Sequence, residues 1–394
     1  MSNMSNKKAE ILLQLEQGKI TANEVFTMLN ELSEHAHAPQ QHTEPEYRGN
    51  GPQKTQPPPH YTQPDWVESL IGDVTGAVQD ALDGIREMNI GTSISEFMSG
   101  TYGHYKNTLT FTSDPVLQGI SQLVIIGKNA RVSVSGYSGN VIRVKCIYDA
   151  RHPDAEVLFH EENGIYQVMY DESVMRSMEI TCEVPHVMIK NVHVASKNAT
   201  VALEDVQAEE VALYTKNAKI LANNISCTEF IAQSKNDAIR VQTLVAQNIH
   251  METTNAKIQT EDVRANNAKL KTTNDRIKME LMDVEHLKID TTNAGLKLDK
   301  HMLGIDDWHG ERTFEAHTTN SGISFSVPSD VGIKVQAHAR GGKIVCKKDD
   351  MYFVESNKYY AQGESGNYAI CGKKLNVRLS TTNASVKIKE VEPV

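Results

Sequence analysis

The sequence lacks any run of 18 apolar residues, so no membrane-crossing helix is expected. It also lacks an excess of positive charge. Forty Lys and Arg stand against 50 Asp and Glu, for a formal net charge of −10. That balance disfavours a general nucleic-acid binder, which needs a basic field. Cysteine is sparse and unpatterned. Cys146, Cys182, Cys227, Cys346 and Cys371 are odd in number, far apart and form no CxxC pair, which points to reduced thiols rather than a disulfide framework. The opening MSNMSNKKAEILLQLEQ has neither a long apolar stretch nor a small-residue cleavage site. No secretory signal is expected, and a cytoplasmic location follows, with peripheral association with the cell envelope left open. There is no G-x-S-x-G, P-loop or HExxH, and the fifteen histidines are scattered. No catalytic, cofactor or metal site is therefore expected, and the chain reads as a non-enzyme.

What is present divides into four parts along 394 residues. Residues 1–34 read as a small α-hairpin module. Ile11, Leu12 and Leu15 form one apolar face, Gly18 suits a helix end, and Thr21 with Glu24 forms a capping box for a second helix carrying Val25, Met28, Leu29 and Leu32. Residues 35–64 hold seven of the twelve prolines and read as an extended tether. Its histidines (His35, His37, His42, His60) have no carboxylate or thiol cluster beside them to make a metal site. Within residues 65–104, Val67, Leu70, Ile71, Val74, Val78, Ala81, Leu82 and Ile85 fall at helical spacing, opposite Asp65, Glu68, Asp73, Asp80, Asp83 and Glu87. An acidic face argues against anionic lipid and for packing as a capping helix, or against a partner.

The fourth part, 105–394, is a repeat. Asn198, Asn217, Asn236, Asn255, Asn274 and Asn293 recur every 19 residues, each with Ser or Thr two before and an aliphatic three after. Period-two alternation ahead of each asparagine predicts a strand, and a parity switch after it predicts a corner. The expected fold is mainly β: a right-handed parallel β-solenoid of 19-residue coils, each with two short strands. On this reading the asparagines point inward and hydrogen-bond from coil to coil as a ladder, and a buried amide without a partner costs about 1–3 kcal/mol. Weaker copies sit at Leu123–Val134, Phe314–Phe325 and Val377–Ile388, with insertions near 150–180, 300–312 and 340–370. Lys219, Arg240, Lys257, Arg276, Lys278 and Lys297 fall outward on the second strand, a basic stripe that is either a solvated face or a surface for an acidic partner. Glu204-Asp205 and Glu261-Asp262 recur three coils apart, about 14 Å along the axis. Such a separation suits solvated turns better than a glycosidase pair, which needs about 5–10 Å.

The Ser/Thr-x-Asn-x-x-aliphatic repeat, with EITCEVPHVMIKNVHVASKNATVAL (179–203) and RLSTTNASVKI (378–388), resembles the bacterial "putative adhesin" β-strand-repeat family, a family of unknown function. Many members carry Gly after the Asn, where this chain mostly has Ala or Asp. The segment QLEQGKITANEVFTMLNEL (14–32) resembles the helical module of YvlB-like and LiaX-like envelope-stress proteins. The resemblance implies a scaffold near the cell envelope, in stress or antimicrobial-peptide sensing, with protein partners that include membrane-associated components. Homo-oligomers, a self-assembling filament and a carbohydrate-active β-solenoid enzyme remain alternatives.

Overall fold

In a computed structural model of the chain, the described residues are 104–116, 119–162, 164–187, 189–298 and 310–392. The hairpin, the tether with its histidines and the amphipathic stretch of the sequence analysis lie outside them. All regular structure among the described residues is β-strand, with 23 strands. No helix there is long and apolar enough to cross a membrane.

One regular layer is a pair of short strands, Ile220–Ser226 and Glu229–Ser234, but the others are not. Val201–Thr215, Ile239–Thr253, Ile258–Thr272 and Ile277–Thr291 each run for 15 residues. They pair in parallel so that Ile239 lies beside Ile258 and Ile258 beside Ile277. Each long strand turns two corners without breaking. In the first, the positions in the main core are Val201 and Leu203, then Val206 and Ala208, then Val211 and Leu213. Each pair follows the period of two, and a slip of one residue between pairs swings the chain to a new inward face. The first slip has a backbone cause. Asp205, Asn224, Thr243, Asp262 and Leu281 all have φ between 49° and 55°. Asp and Asn tolerate this left-handed region, whereas Thr and Leu adopt it at a cost of about 1–2 kcal/mol. Glu204-Asp205 and Glu261-Asp262 are thus corner residues: Asn223 donates to Glu204 and Asn224 to Asp205. The third corner is the bend that carries the repeated asparagine.

The interior is built of like-residue columns. Val201, Ile220, Ile239, Ile258 and Ile277 stack in register, each no more than 4% exposed. Apolar burial of this kind, about 25 cal/mol per Å², is the main term holding the layers together.

Spatial order departs from chain order at both ends. Strands Ile120–Gly127 and Ala130–Tyr137 lie between the layer of Ile165–Tyr170 and Met175–Pro185 and the layer that begins at Ile189–Ser196. At the other end, Lys373–Thr381 and Val386–Val391 insert between Gly310–Thr318 with Ile323–Pro328 and Gly332–Ala339 with Ile344–Lys347. The last repeat of the sequence is therefore an inner layer. The outer layer beyond it turns on Gly341-Gly342, where a Cβ on Gly342 would meet the Ala384 carbonyl oxygen at 2.0 Å, so no side chain fits. Beyond the parallel layers the insertions add antiparallel strands: Val157–Glu162, Arg143–Ala150 and Tyr105–Thr112 at one end, and Tyr360–Ser365 then Met351–Ser356 at the other.

Candidate binding surface

The stretch of strand that leads into each asparagine, the first face of its layer (Ile189–Ser196, residues 210–215, Glu229–Ser234 and their counterparts), ends at its Ser or Thr, and the next three residues form the bend. Strand alternation therefore stops two residues before the asparagine. Ser196, Ser234, Thr253, Thr272 and Thr291 are buried, while Asn198, Asn217, Asn236, Asn255, Asn274 and Asn293 are all exposed. This corrects the inward placement expected for the amides. The hydroxyls serve the bend from inside: Thr272 Oγ1 donates to the Ala256 carbonyl at 3.1 Å and Thr291 Oγ1 to that of Ala294 at 2.7 Å.

The asparagines bond to one another along the solvent side. Asn217 Nδ2 donates to Asn198 Oδ1, Asn236 to Asn217, and so on, at 2.6–2.7 Å up to Asn293 on Asn274. The row continues through layers distant in sequence: Asn198 donates to Asn129, Asn320 to Asn293 and Asn383 to Asn320, at 2.7–2.8 Å. Water can replace an exposed amide but not a buried hydroxyl. Asn274→Ala should therefore cost about 1 kcal/mol and Thr272→Val about 1–3 kcal/mol. Urea midpoints of the two variants test the order, and an equal or reversed ranking would remove the division into inward hydroxyls and outward amides.

The six cations of the expected basic stripe do not form one row. Lys219, Arg240, Arg276, Lys278 and Lys297 are exposed and Lys257 half-buried. Strand register places Leu221 beside Arg240, and Gln259 between Arg240 and Lys278. Lys278 is paired with Glu280. An unbroken basic row lies elsewhere, immediately before the asparagines: Lys128, Lys197, Lys216 and Lys235, all exposed, one per layer and about 4.8 Å apart. Backbone bonds tie the row together, the amide of Asn198 to the Lys128 carbonyl, that of Asn217 to Lys197 and that of Asn236 to Lys216, at 2.8–2.9 Å. Among the described residues, Lys197, Lys216 and Lys235 form no ion pair. The repeated dipeptide Lys-Asn, at 128–129, 197–198, 216–217 and 235–236, is the sequence signal for this row.

These lysines edge a groove of about 770 Å³ on the outer side of the first face. Its floor includes Ile126, Ala195 and Tyr214, which stand side by side in register. Ala212 and Tyr214 form a small apolar cluster with Ala195 and Ile231, separate from the main core. Tyr214 is 5% exposed, and its hydroxyl has no hydrogen-bond partner among the described residues. Burial, then the charge of Glu210, pushes the phenol well above its usual range. Glu172 closes the groove at Lys128, whose amide donates to it. Burial raises this carboxyl, and that backbone bond offsets part of the rise. Further along the same outer face the apolar positions give way to Lys269, Lys271 and Lys288. Lys271 Nζ meets Glu252 at 2.6 Å.

A family model matches residues 127–391, spanning the inner layers, the asparagine row and the interleaved ends except the strand Ile120–Gly127. The chain belongs to the Toastrack DUF4097 family. Solved structures similar to this toastrack include a putative adhesin from Parabacteroides merdae ATCC 43184, at 10% identity and TM-score 0.44, covering 73% of this chain and 96% of that one. A protein from Parabacteroides distasonis ATCC 8503 described as a putative lipid binding protein is similar at 6% identity and TM-score 0.42, with 72% and 97% covered. A putative adhesin from Bacteroides fragilis NCTC 9343 is similar at 10% identity and TM-score 0.35, with 72% and 97% covered. No curated protein matches the toastrack.

Proposed function

We propose that this toastrack is a non-enzymatic scaffold of a bacterial envelope-stress response, and that its lysine-edged groove holds an acidic amphipathic segment of a protein partner. The carrying observation is the pairing of chemistries in one place. Four cations in a row border an apolar floor that holds a buried, unpartnered phenol. Stacked like charges at this spacing repel, so they gain from a ligand that brings carboxylates. The apolar floor and the Tyr214 hydroxyl favour a ligand with an apolar side and a polar group aimed inward. A helix with one acidic and one apolar face has both properties, and the sequence pattern of residues 65–90 is of that kind.

In this reading the right-handed stack of 19-residue coils is the rigid body and the asparagine row stiffens its edge. Residues 1–34 are a docking hairpin for envelope components, carried on the tether 35–64. Action at the membrane periphery fits such an arrangement.

The test is fluorescence anisotropy of the full chain with a labelled synthetic helix carrying six carboxylates on one face. Lys216→Glu with Lys235→Glu should weaken binding at least tenfold, and raising the salt from 50 to 500 mM should weaken the unaltered chain's binding several-fold. Equal binding by the charge-reversed chain, or salt-independent binding, would remove the groove as the site.

A further inference from the structure

Part of the first face, where the groove lies, is buried on both sides. Leu123, Val192 and Val211 belong to the main core, so the residues that follow them in their strands point outward. Those residues are Val124, His193 and Ala212, side by side in register. They are nevertheless only 8%, 4% and 0% exposed, and Tyr214 beside them is 5% exposed. Later in the same row His250 is half-buried and Lys269 and Lys288 are exposed, as on a bare sheet face. Among the described residues, the apolar cluster on the outer side draws on the sheet alone: Ala195, Ala212, Tyr214 and Ile231. The burial there calls for a cover from another part of the chain.

We propose that residues 65–90 of this same chain are the resident occupant of the groove, so that a partner's segment must displace them to bind. The proposal rests on the reading of the groove given above. Three observations choose this segment. The first is charge: residues 65–90 carry six carboxylates against the single cation Arg86, opposite an apolar stripe that includes Val74 and Val78. Facing them are the exposed, unpaired Lys197, Lys216 and Lys235 beside the apolar floor. The second is spacing. In a helix Asp73, Asp80 and Glu87 recur every seven residues, about 10.5 Å, and alternate lysines of the row stand about 9.6 Å apart. The third is reach. Asn107, Tyr148, Met178 and Ala130 stand in register across four strands. The described residues therefore begin three ladder spacings, about 14 Å, from the corner at Lys128. Lys235, three layers further, is about 29 Å away, and the 14 residues 91–104 span about 46 Å when extended. Gly72, Gly76 and Gly84 weaken the helix in isolation, which suits an occupant that has to give way.

Zero-length carbodiimide coupling of the dilute full chain, mapped by mass spectrometry, tests occupancy. Lys197, Lys216 or Lys235 should join to Asp73, Asp80 or Glu87 within one chain. A second measurement uses the labelled acidic helix of the groove test. That helix should bind the full chain carrying Val74→Asn and Val78→Asn at least tenfold tighter than the unaltered chain. The tethered competitor acts at high effective concentration only while its apolar stripe is intact. Adding Lys216→Glu with Lys235→Glu should remove the gain. Absence of these couplings overturns the proposal, and so does coupling confined to chains joined in pairs, or an unchanged affinity in the Val74→Asn, Val78→Asn chain. Lysine-dependent binding of the helix without that gain sinks the resident occupant and leaves the groove reading standing. Helix binding indifferent to the lysines sinks the groove reading itself. Circular dichroism melts check that each variant stays folded, and coupling in the unaltered chain decides should one fold poorly.

Discussion

Replacing Phe230 by Ala is expected to cost about 3–5 kcal/mol, the range for emptying a fully buried aromatic site. Phe230 is 0% exposed and is the largest of the fully enclosed side chains. Above and below it in the same column stand Val211 and Ile249. Relaxation would reduce the cost only if those neighbours could move in. Their backbones are fixed by continuous ladders on both sides, so the cavity should persist. The loss should appear as a lower denaturant midpoint, and Phe230→Leu should recover most of it. A loss below about 1 kcal/mol would mean that the interior collapses freely and that the columns do not fix the layer spacing.

The second large effect concerns a buried charge. Lys348, just past the strand Ile344–Lys347, has a side chain only 1% exposed, and its ammonium lies 2.9 Å from both Asp350 and Glu390. Burial alone would lower its pKa, but the bonds to Glu390 and Asp350 outweigh that and raise it above the ordinary lysine value. Lys348→Met removes the cation and leaves two facing carboxylates. About 3 kcal/mol is expected, the low end for stripping one member from a buried charge group, because the carboxylates are 38% and 28% exposed. The pH dependence follows from the direction of the shift. A raised folded pKa gives stability that is fully present below the unfolded lysine value of about 10.5 and is lost as pH climbs through the folded value. Melting curves of the two proteins should therefore differ at pH 7 and converge in strong alkali. A gap of constant size up to pH 12 would show that the variant acts through packing alone.

The asparagine spacing was legible because a repeated bend needs the same small amide in every layer, and 19-residue recurrence survives substitution of its neighbours. The direction of the amides was not, because strand alternation was carried past Ser196 and Thr215 into a bend where it no longer holds. The left-handed corner was hidden by its composition. Asp205 and Asn224 suit positive φ, but Thr243 and Leu281 occupy the same turn without any local preference for it. Ladders on both sides impose the conformation there. Of the candidate surface, the sequence carried the Lys-Asn dipeptides openly, whereas the apolar floor of Ile126, Ala195 and Tyr214 shares no residue type and emerges only when the layers are set in register. The interleaved ends had no local signature at all, since a strand's partner 63 residues away is chosen by the whole stack.

That interleaving bears on how the protein can be made. Asn383 hydrogen-bonds to Asn320 while its own layer lies inside that of Gly332–Ala339. A ribosome delivers the outer layer before the inner one it must cover. The emerging chain therefore has to leave room between residues 310–328 and residues 332–347 until residues 373–391 have been made. A chain cut before residue 373 would lack a middle floor rather than a roof.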